Sequence, residues 1–173
     1  EWRERDNLES LASRDGLTQV LNRRAFLELV HERLDGRQGE WPLGLLFLDL
    51  DAFKAVNDRY GHAVGDEVLR ETARRVQAVL RPGDVVGRIG GDEFAVLLDR
   101  ADGAVAQRLA GRLEGAMVET FRGQGWQLAV GASIGWAVYP ADGKDAAALL
   151  DAADGRMYAV KRERRQARES TPA

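Results

Sequence analysis

The sequence contains no cysteine and only two histidines, His31 and His62. Without cysteine there is no disulfide framework, no thiolate nucleophile and no cysteine-ligated zinc. Two histidines do not make a histidine-rich metal site, so metal chemistry stays open only through carboxylates and hard cations. No apolar run approaches the roughly 20 residues that span a bilayer, and the first residues do not read as a signal peptide. Neither sign of charge dominates: 25 Lys and Arg stand against 28 Asp and Glu, a net charge of −3. That balance argues against duplex nucleic acid as the main partner, while leaving room for a local basic patch. What is present suits one globular domain: 173 residues, 45% hydrophobic and 31% charged, enough for a sizeable core. The chain begins Glu1-Trp2 rather than with methionine, and initiator Met is not normally removed before Glu. The expectation is a piece of a longer protein.

Residues 1–13 are polar and helix-favouring, and read as the end of a helix arriving from upstream. Asp15-Gly16-Leu17-Thr18 has turn chemistry, after which helical spacing resumes over residues 22–34 through Phe26, Leu27, Val30 and Leu34. Residues 43–50 are nearly all apolar, too few for an ordinary helix, and read as a strand buried on both faces that ends in Asp49 and Asp51. Residues 58–65 read as a loop, with Gly65-Asp66 opening a helix whose apolar face is Val68, Leu69, Ala73, Val76 and Leu80. Residues 85–89 and 94–98 flank Gly90-Gly91-Asp92-Glu93 as a β-hairpin, the glycines being expected to supply positive φ. A helix over 104–120, one long strand over 128–138, a last helix over 145–165 and a disordered polar tail over 167–173 complete the chain. The fold class expected is an α/β (α+β) sandwich, a central mixed or antiparallel sheet flanked by helices.

Two adjacent acidic residues beside a bare glycine backbone repel one another unless a cation or water compensates. Asp49 closes a buried strand, where a carboxylate is costly without a partner. If hairpin and strand are neighbours, Asp49, Asp92 and Glu93 converge on one hard cation, with Leu50 offering its carbonyl. Mg²⁺ or Mn²⁺ held in this way leaves positions for phosphate oxygens, the usual nucleotide arrangement. The alternative at this level is a solvated acidic turn beside an unrelated strand-end Asp.

The motif Gly90-Gly91-Asp92-Glu93-Phe94 resembles the signature of the GGDEF family, the diguanylate cyclases. So do Asp49-Leu50-Asp51-Ala52-Phe53-Lys54 with Asn57-Asp58, Tyr60-Gly61-His62 and Gly65-Asp66. Asp15-Gly16-Leu17-Thr18 with Asn22-Arg23-Arg24 resembles the family's opening motif, and Ser133-Ile134-Gly135, Tyr139-Pro140 and residues 154–161 its C-terminal blocks. Residues 14–166 are thereby identified as one catalytic domain, its fold similar to the palm of nucleotide polymerases and class III adenylyl cyclases. The resemblance implies joining of two GTP into cyclic di-GMP with release of two pyrophosphates. It implies Asp49, the Leu50 carbonyl and Asp92 as ligands of Mg²⁺ or Mn²⁺, with Glu93 beside them and available to a second ion. It also implies Asp92 and Glu93 as the catalytic pair. Asp92 is a candidate general base, although a metal-lowered hydroxyl pKa suffices chemically.

Asn57 and Asp66 fall where the family reads guanine, a base that needs one group to donate and a carboxylate to accept. The plainer role for Asp66 is a helix cap. Phe53 falls near the triphosphate, where its backbone and those around it can donate, and Lys54, Gly90 and Gly91 join it among the substrate-binding residues. Lys161 and Arg165 share a helix face and match positions that bind the β- and γ-phosphates; a basic helix C-terminus complementing its dipole is the alternative. Here the chain departs from the family, with Arg164 for the usual Gly and Gln166 for the usual Asn. Arg81 and Asp84, with Arg112, match the spacing of the family's product-inhibition site for cyclic di-GMP, where the alternative is a type II turn and nothing more.

A two-fold product made from two one-substrate domains implies a homodimer in the active state. It also implies an upstream sensor or receiver domain that brings the pair together. The isolated fragment is then expected to be mostly monomeric and weakly active. A cytoplasmic location follows, with room for a membrane anchor in a missing N-terminal part. The competing reading is a catalytically silent GTP- or cyclic di-GMP-binding regulatory domain. A nucleic-acid module built on residues 161–168 lacks interleaved aromatics, so no nucleic-acid partner is expected.

Overall fold

In the computed structural model, which describes residues 12–37 and 41–171, the apolar segment after Pro42 is the centre of the molecule. It forms β1 (Leu43–Leu50), every residue of it buried. Side chains alternate across a strand, so Leu46, Leu48 and Leu50 enter one core while Leu43, Leu45 and Phe47 enter a second. The first core is closed by α3 (His62–Val79) and α4 (Gly103–Met117), the second by α1 (Arg23–Leu34) and α5 (Ala146–Ser170). A strand with both faces covered has no polar face to display, which is why its sequence does not alternate.

The main sheet runs β2 (Val85–Arg88), β3 (Glu93–Leu98), β1, β6 (Ala132–Tyr139). Each neighbouring pair in it is antiparallel, so the mixed order left open by the sequence resolves to an antiparallel one. A separate two-stranded ribbon, β4 (Phe121–Gly123) with β5 (Trp126–Leu128), lies beside α3, where Trp126 Nε1 donates to Glu67 at 3.1 Å. Three helices start on sequence-encoded caps: Asn22, Asp102 and Asp145 accept from the N–H three residues ahead. The far end of α4 is closed by Arg75. Its guanidinium donates to the carbonyls of Ala116, Glu119 and Thr120 and stacks 3.8 Å over the Phe121 ring, which satisfies carbonyls that a helix end leaves open.

Gly135 of β6 fixes how near α5 can come. A Cβ there would collide with the backbone of Ala153 and Met157, so the helix lies directly on the strand. No helix among the described residues is long and apolar enough to cross a membrane.

Four sequence expectations need correction. Residues 58–65 are not a loop: α2 (Phe53–Tyr60) runs to Gly61, whose φ of +87 gives a one-residue break before α3. Its eight residues bury only Phe53 and Val56, too few to show a helical period. Residues 128–138 are not one strand: β5 ends at Leu128 and β6 starts at Ala132, and the break lets Gly131 accept the Asp51 N–H at 2.8 Å. The strand β4 was not foreseen. The last helix continues through positions 167–170, expected to be disordered, because nothing before Pro172 interrupts it. The upstream helix expected over residues 1–13 falls outside the described residues except for Ala12 and Ser13, which are helical.

Candidate active site

The hairpin of β2 and β3 lies beside β1, with Glu93 directly opposite Asp49 in the antiparallel register. The Leu50 N–H donates to the Asp92 carbonyl at 3.1 Å, which ties the end of β1 to the hairpin tip. Carboxylate oxygens of Asp49, Asp92 and Glu93 consequently come within 4.8 Å of one another. The tip glycines work differently from the expectation. Neither Gly90 nor Gly91 has a positive φ; Gly90 is needed because a Cβ would press on the Glu93 side chain at 3.1–3.2 Å.

Asp49 is buried, and Lys161 Nζ stands 2.7 Å from its Oδ1. Burial pushes the Asp49 carboxyl up from its ordinary 3.8 to about 6, with the Asp92 and Glu93 charges adding to the rise and Lys161 opposing it. Burial also raises Glu93, and the charge of Asp92 adds to that. A cluster of three carboxylates whose burial and mutual repulsion raise Asp49 and Glu93 fits a hard divalent cation.

This has a pH consequence. Folded Asp49 holds its proton to higher pH than the unfolded chain does, so between about 4 and 6 the folded state binds more protons. The contribution of Asp49 to the stability of the metal-free domain is therefore greatest below that window and falls as pH rises through it. A cation must displace the proton at pH 5 but not at pH 7.5. The rise in melting temperature on adding Mn²⁺ is expected to be clearly larger at pH 7.5, as thermal melts at the two pH values would show.

Beside the acidic cluster lies a cleft of about 390 Å³ lined by Phe53, Lys54, Asn57, His62, Asp66, Leu69, Arg88, Gly91 and Asp92. Asp66 is no helix cap: α3 begins at His62, which places Asp66 in its second turn with its side chain on the cleft. The Asn57 carboxamide rests on Gly65, where any Cβ would overlap it. The cleft therefore presents the Asn57 amide and the Asp66 carboxylate to whatever enters it, with the Asp92 carboxylate on the side of the acidic cluster. Lys161 lies across the acidic cluster from this cleft, and Arg165 is exposed one turn further along α5.

Sequence reading missed Arg88. Its guanidinium donates to Asp15 at 3.2–3.3 Å and to the Gly91 carbonyl at 2.8–3.2 Å. Asp15 also accepts from the backbone and hydroxyl of Thr18. The opening turn and the hairpin tip thus share one arginine; the available signal was a charge two positions before the double glycine.

The turn Arg81-Pro82-Gly83-Asp84 has Gly83 at φ +91, as a type II turn requires. Asp84 is spent inside it, its side chain 0% exposed and accepting from the Arg81 backbone and guanidinium and from the Asp99 N–H. The carboxylate expected to face a ligand is enclosed here, while the Arg81 side chain keeps 37% of its surface open. Arg112 stands exposed on α4.

A family model described as diguanylate cyclase, GGDEF domain, matches residues 12–167. The chain belongs to the GGDEF family. Diguanylate cyclase TpbB of Pseudomonas aeruginosa is 43% identical over 169 residues, 95% of this chain and 39% of that protein, so the chain spans about two fifths of this relative. The solved GGDEF domain of TpbB superposes with a TM-score of 0.82 at 42% identity, covering 87% of this chain and 89% of that one. The GGDEF domain of DgcB from Caulobacter crescentus, solved in complex with c-di-GMP, gives 0.78 at 32% identity over 88% and 89%. The antiparallel sheet with helices on both faces is thus the GGDEF fold, with its signature at the β2–β3 tip.

Proposed function

We propose that this GGDEF domain is a diguanylate cyclase that condenses two GTP into cyclic di-GMP and two pyrophosphates. The observation that carries the reading is the meeting of three features at one sheet end. A carboxylate cluster lies between a cleft offering an amide and a carboxylate and a lysine suited to phosphate.

In this reading Asn57 and Asp66 hold guanine, which requires an acceptor for its N1 and N2 hydrogens and a donor for O6. The N–H groups opening α2 at Phe53 and Lys54 face the triphosphate, as helix starts favour anions. Lys161 and Arg165 neutralise its β- and γ-phosphates. Asp49, the Leu50 carbonyl, Asp92 and Glu93 would hold Mg²⁺ or Mn²⁺, which supplies positive charge to the attacking and leaving oxygens. The 3′-oxygen of one nucleotide bonds to the α-phosphorus of the other, pyrophosphate leaves, and the hydroxyl proton passes to Asp92 or to water. Each domain holds one nucleotide, so two domains must face each other about a two-fold axis.

Cyclic di-GMP binding at Arg81, with Arg112, provides feedback inhibition. The parts of the full protein outside this chain bring the domains together in the cytoplasm. The alternative is a silent regulatory domain; what supports the cyclase over it is the carboxylates, the cleft and the lysine standing together at one sheet end.

The test is incubation with GTP and Mg²⁺ followed by chromatography, on the chain alone and on a version dimerised through a fused zipper. Product is expected from both, with the dimerised form faster by at least about tenfold at low concentration, because its partner is held at high effective concentration. Absence of cyclic di-GMP even from the dimerised form overturns the proposal.

A further inference from the structure

The apolar anchoring of α5 ends early. Its buried residues are Ala146, Leu149, Ala153 and Met157, and beyond half-buried Val160 every position except Lys161 and Arg164 is exposed. A helix end without an apolar face is held by tertiary contacts or frays. Those two side chains supply the ion pairs. Lys161 meets Asp49 at 2.7 Å, while Arg164 reaches Asp51 at 3.0 Å and, through its other nitrogen, Glu114 of α4.

The two pairs differ in what else they must do. Asp49 belongs to the acidic cluster, so in the proposed reaction it is needed by a cation while Lys161 is needed by phosphate. That pair cannot persist. Asp51 stands outside the cluster. Its second oxygen accepts from the Ser133 hydroxyl at 2.7 Å, and its N–H donates to Gly131 at 2.8 Å, so it is fixed from both sides of the strand break. Once Lys161 turns to a nucleotide, Arg164 is what remains, among the described residues, to hold the last turns of α5 to the body.

We infer that Arg164 is a positioning residue that holds the end of α5 on Asp51 and Glu114, so that Lys161 and Arg165 meet the triphosphate already aligned. The inference rests on the GTP reading above. An arginine suits the place because its rigid fork directs separate nitrogens at two carboxylates, whereas a lysine keeps the charge there with less directed geometry. Alignment before binding removes an ordering cost that would otherwise oppose it.

The test uses the full chain as wild type, Arg164→Gln and Arg164→Lys. Each is titrated with a non-cleavable GTP analogue in Mg²⁺ and separately with Mn²⁺ alone, and amide hydrogen exchange is followed along α5. Arg164→Gln is expected to weaken the analogue about tenfold while Mn²⁺ alone changes less than about twofold, and Arg164→Lys to recover to within about threefold of wild type. Exchange should quicken over residues 161–170 and stay unchanged over 146–157. Wild-type affinity for the analogue in Arg164→Gln overturns the inference while leaving the GTP reading intact. Equal losses of Mn²⁺ and analogue also overturn it, since the whole site would then have collapsed. A wild-type chain that binds neither probe removes the GTP reading itself, and the positioning role of Arg164 with it.

Discussion

Asp92→Ala is expected to lower cyclic di-GMP production by at least about a thousandfold while leaving the melting temperature within a few degrees of wild type. The large effect on rate follows from position. Asp92 is the one member of the acidic cluster that also lines the nucleotide-sized cleft, so its carboxylate stands where cation and reacting oxygens must meet. The small effect on stability follows from its surroundings. The side chain is half-buried in a tip whose backbone is held independently by Leu50 N–H to the Asp92 carbonyl and by Arg88 to Gly91. Removing one of three mutually repelling carboxylates also relieves Asp49 and Glu93, both of which the Asp92 charge pushes up. Product chromatography and a melt on the same sample check both halves. Turnover above a tenth of wild type would remove Asp92 from the chemistry.

Gly135→Ala is expected to destabilise the fold by about 3 kcal/mol or more, among the larger effects one methyl group can have. The new Cβ would overlap the Met157 N–H and the Ala153 carbonyl, which are helix backbone and cannot turn aside as a side chain could. Relief requires α5 to lift from β6, and that exposes Leu149, Ala153 and Met157. Gly111→Ala is the control: it lies on exposed α4 surface with nothing within 4 Å of the new Cβ, and should stabilise by about 0.5–1 kcal/mol. Urea unfolding of the two variants checks the contrast; equal midpoints would mean α5 does not rest on β6 as described. Lys161 rides on the same helix, so the damaged variant should also bind nucleotide poorly.

Much of the site was legible because its chemistry is concentrated in short motifs. Asp49 and the hairpin tip announce themselves as charges at the ends of apolar runs, and the register that places Glu93 opposite Asp49 follows once both strands are drawn. The helix α2 was hidden because its eight residues bury only two side chains, and because Gly61 interrupts what a longer period would have joined to α3. The division of residues 128–138 could not be read from alternation, since the break serves a hydrogen bond to Asp51 more than 70 positions earlier. Arg164 looked like a flaw in a phosphate motif. Its partners are Asp51, in the turn after β1, and Glu114 on α4, neither of them near it in sequence. The spacing of Asp84 suggests a ligand contact, and what it could not show is that Arg81 and the Asp99 N–H already occupy that carboxylate.

The Arg88 guanidinium spans the distance between Asp15 and the Gly91 carbonyl. The tip that bears Asp92 is therefore tied through one side chain to the turn at Asp15, 73 positions before Arg88, as well as to the sheet.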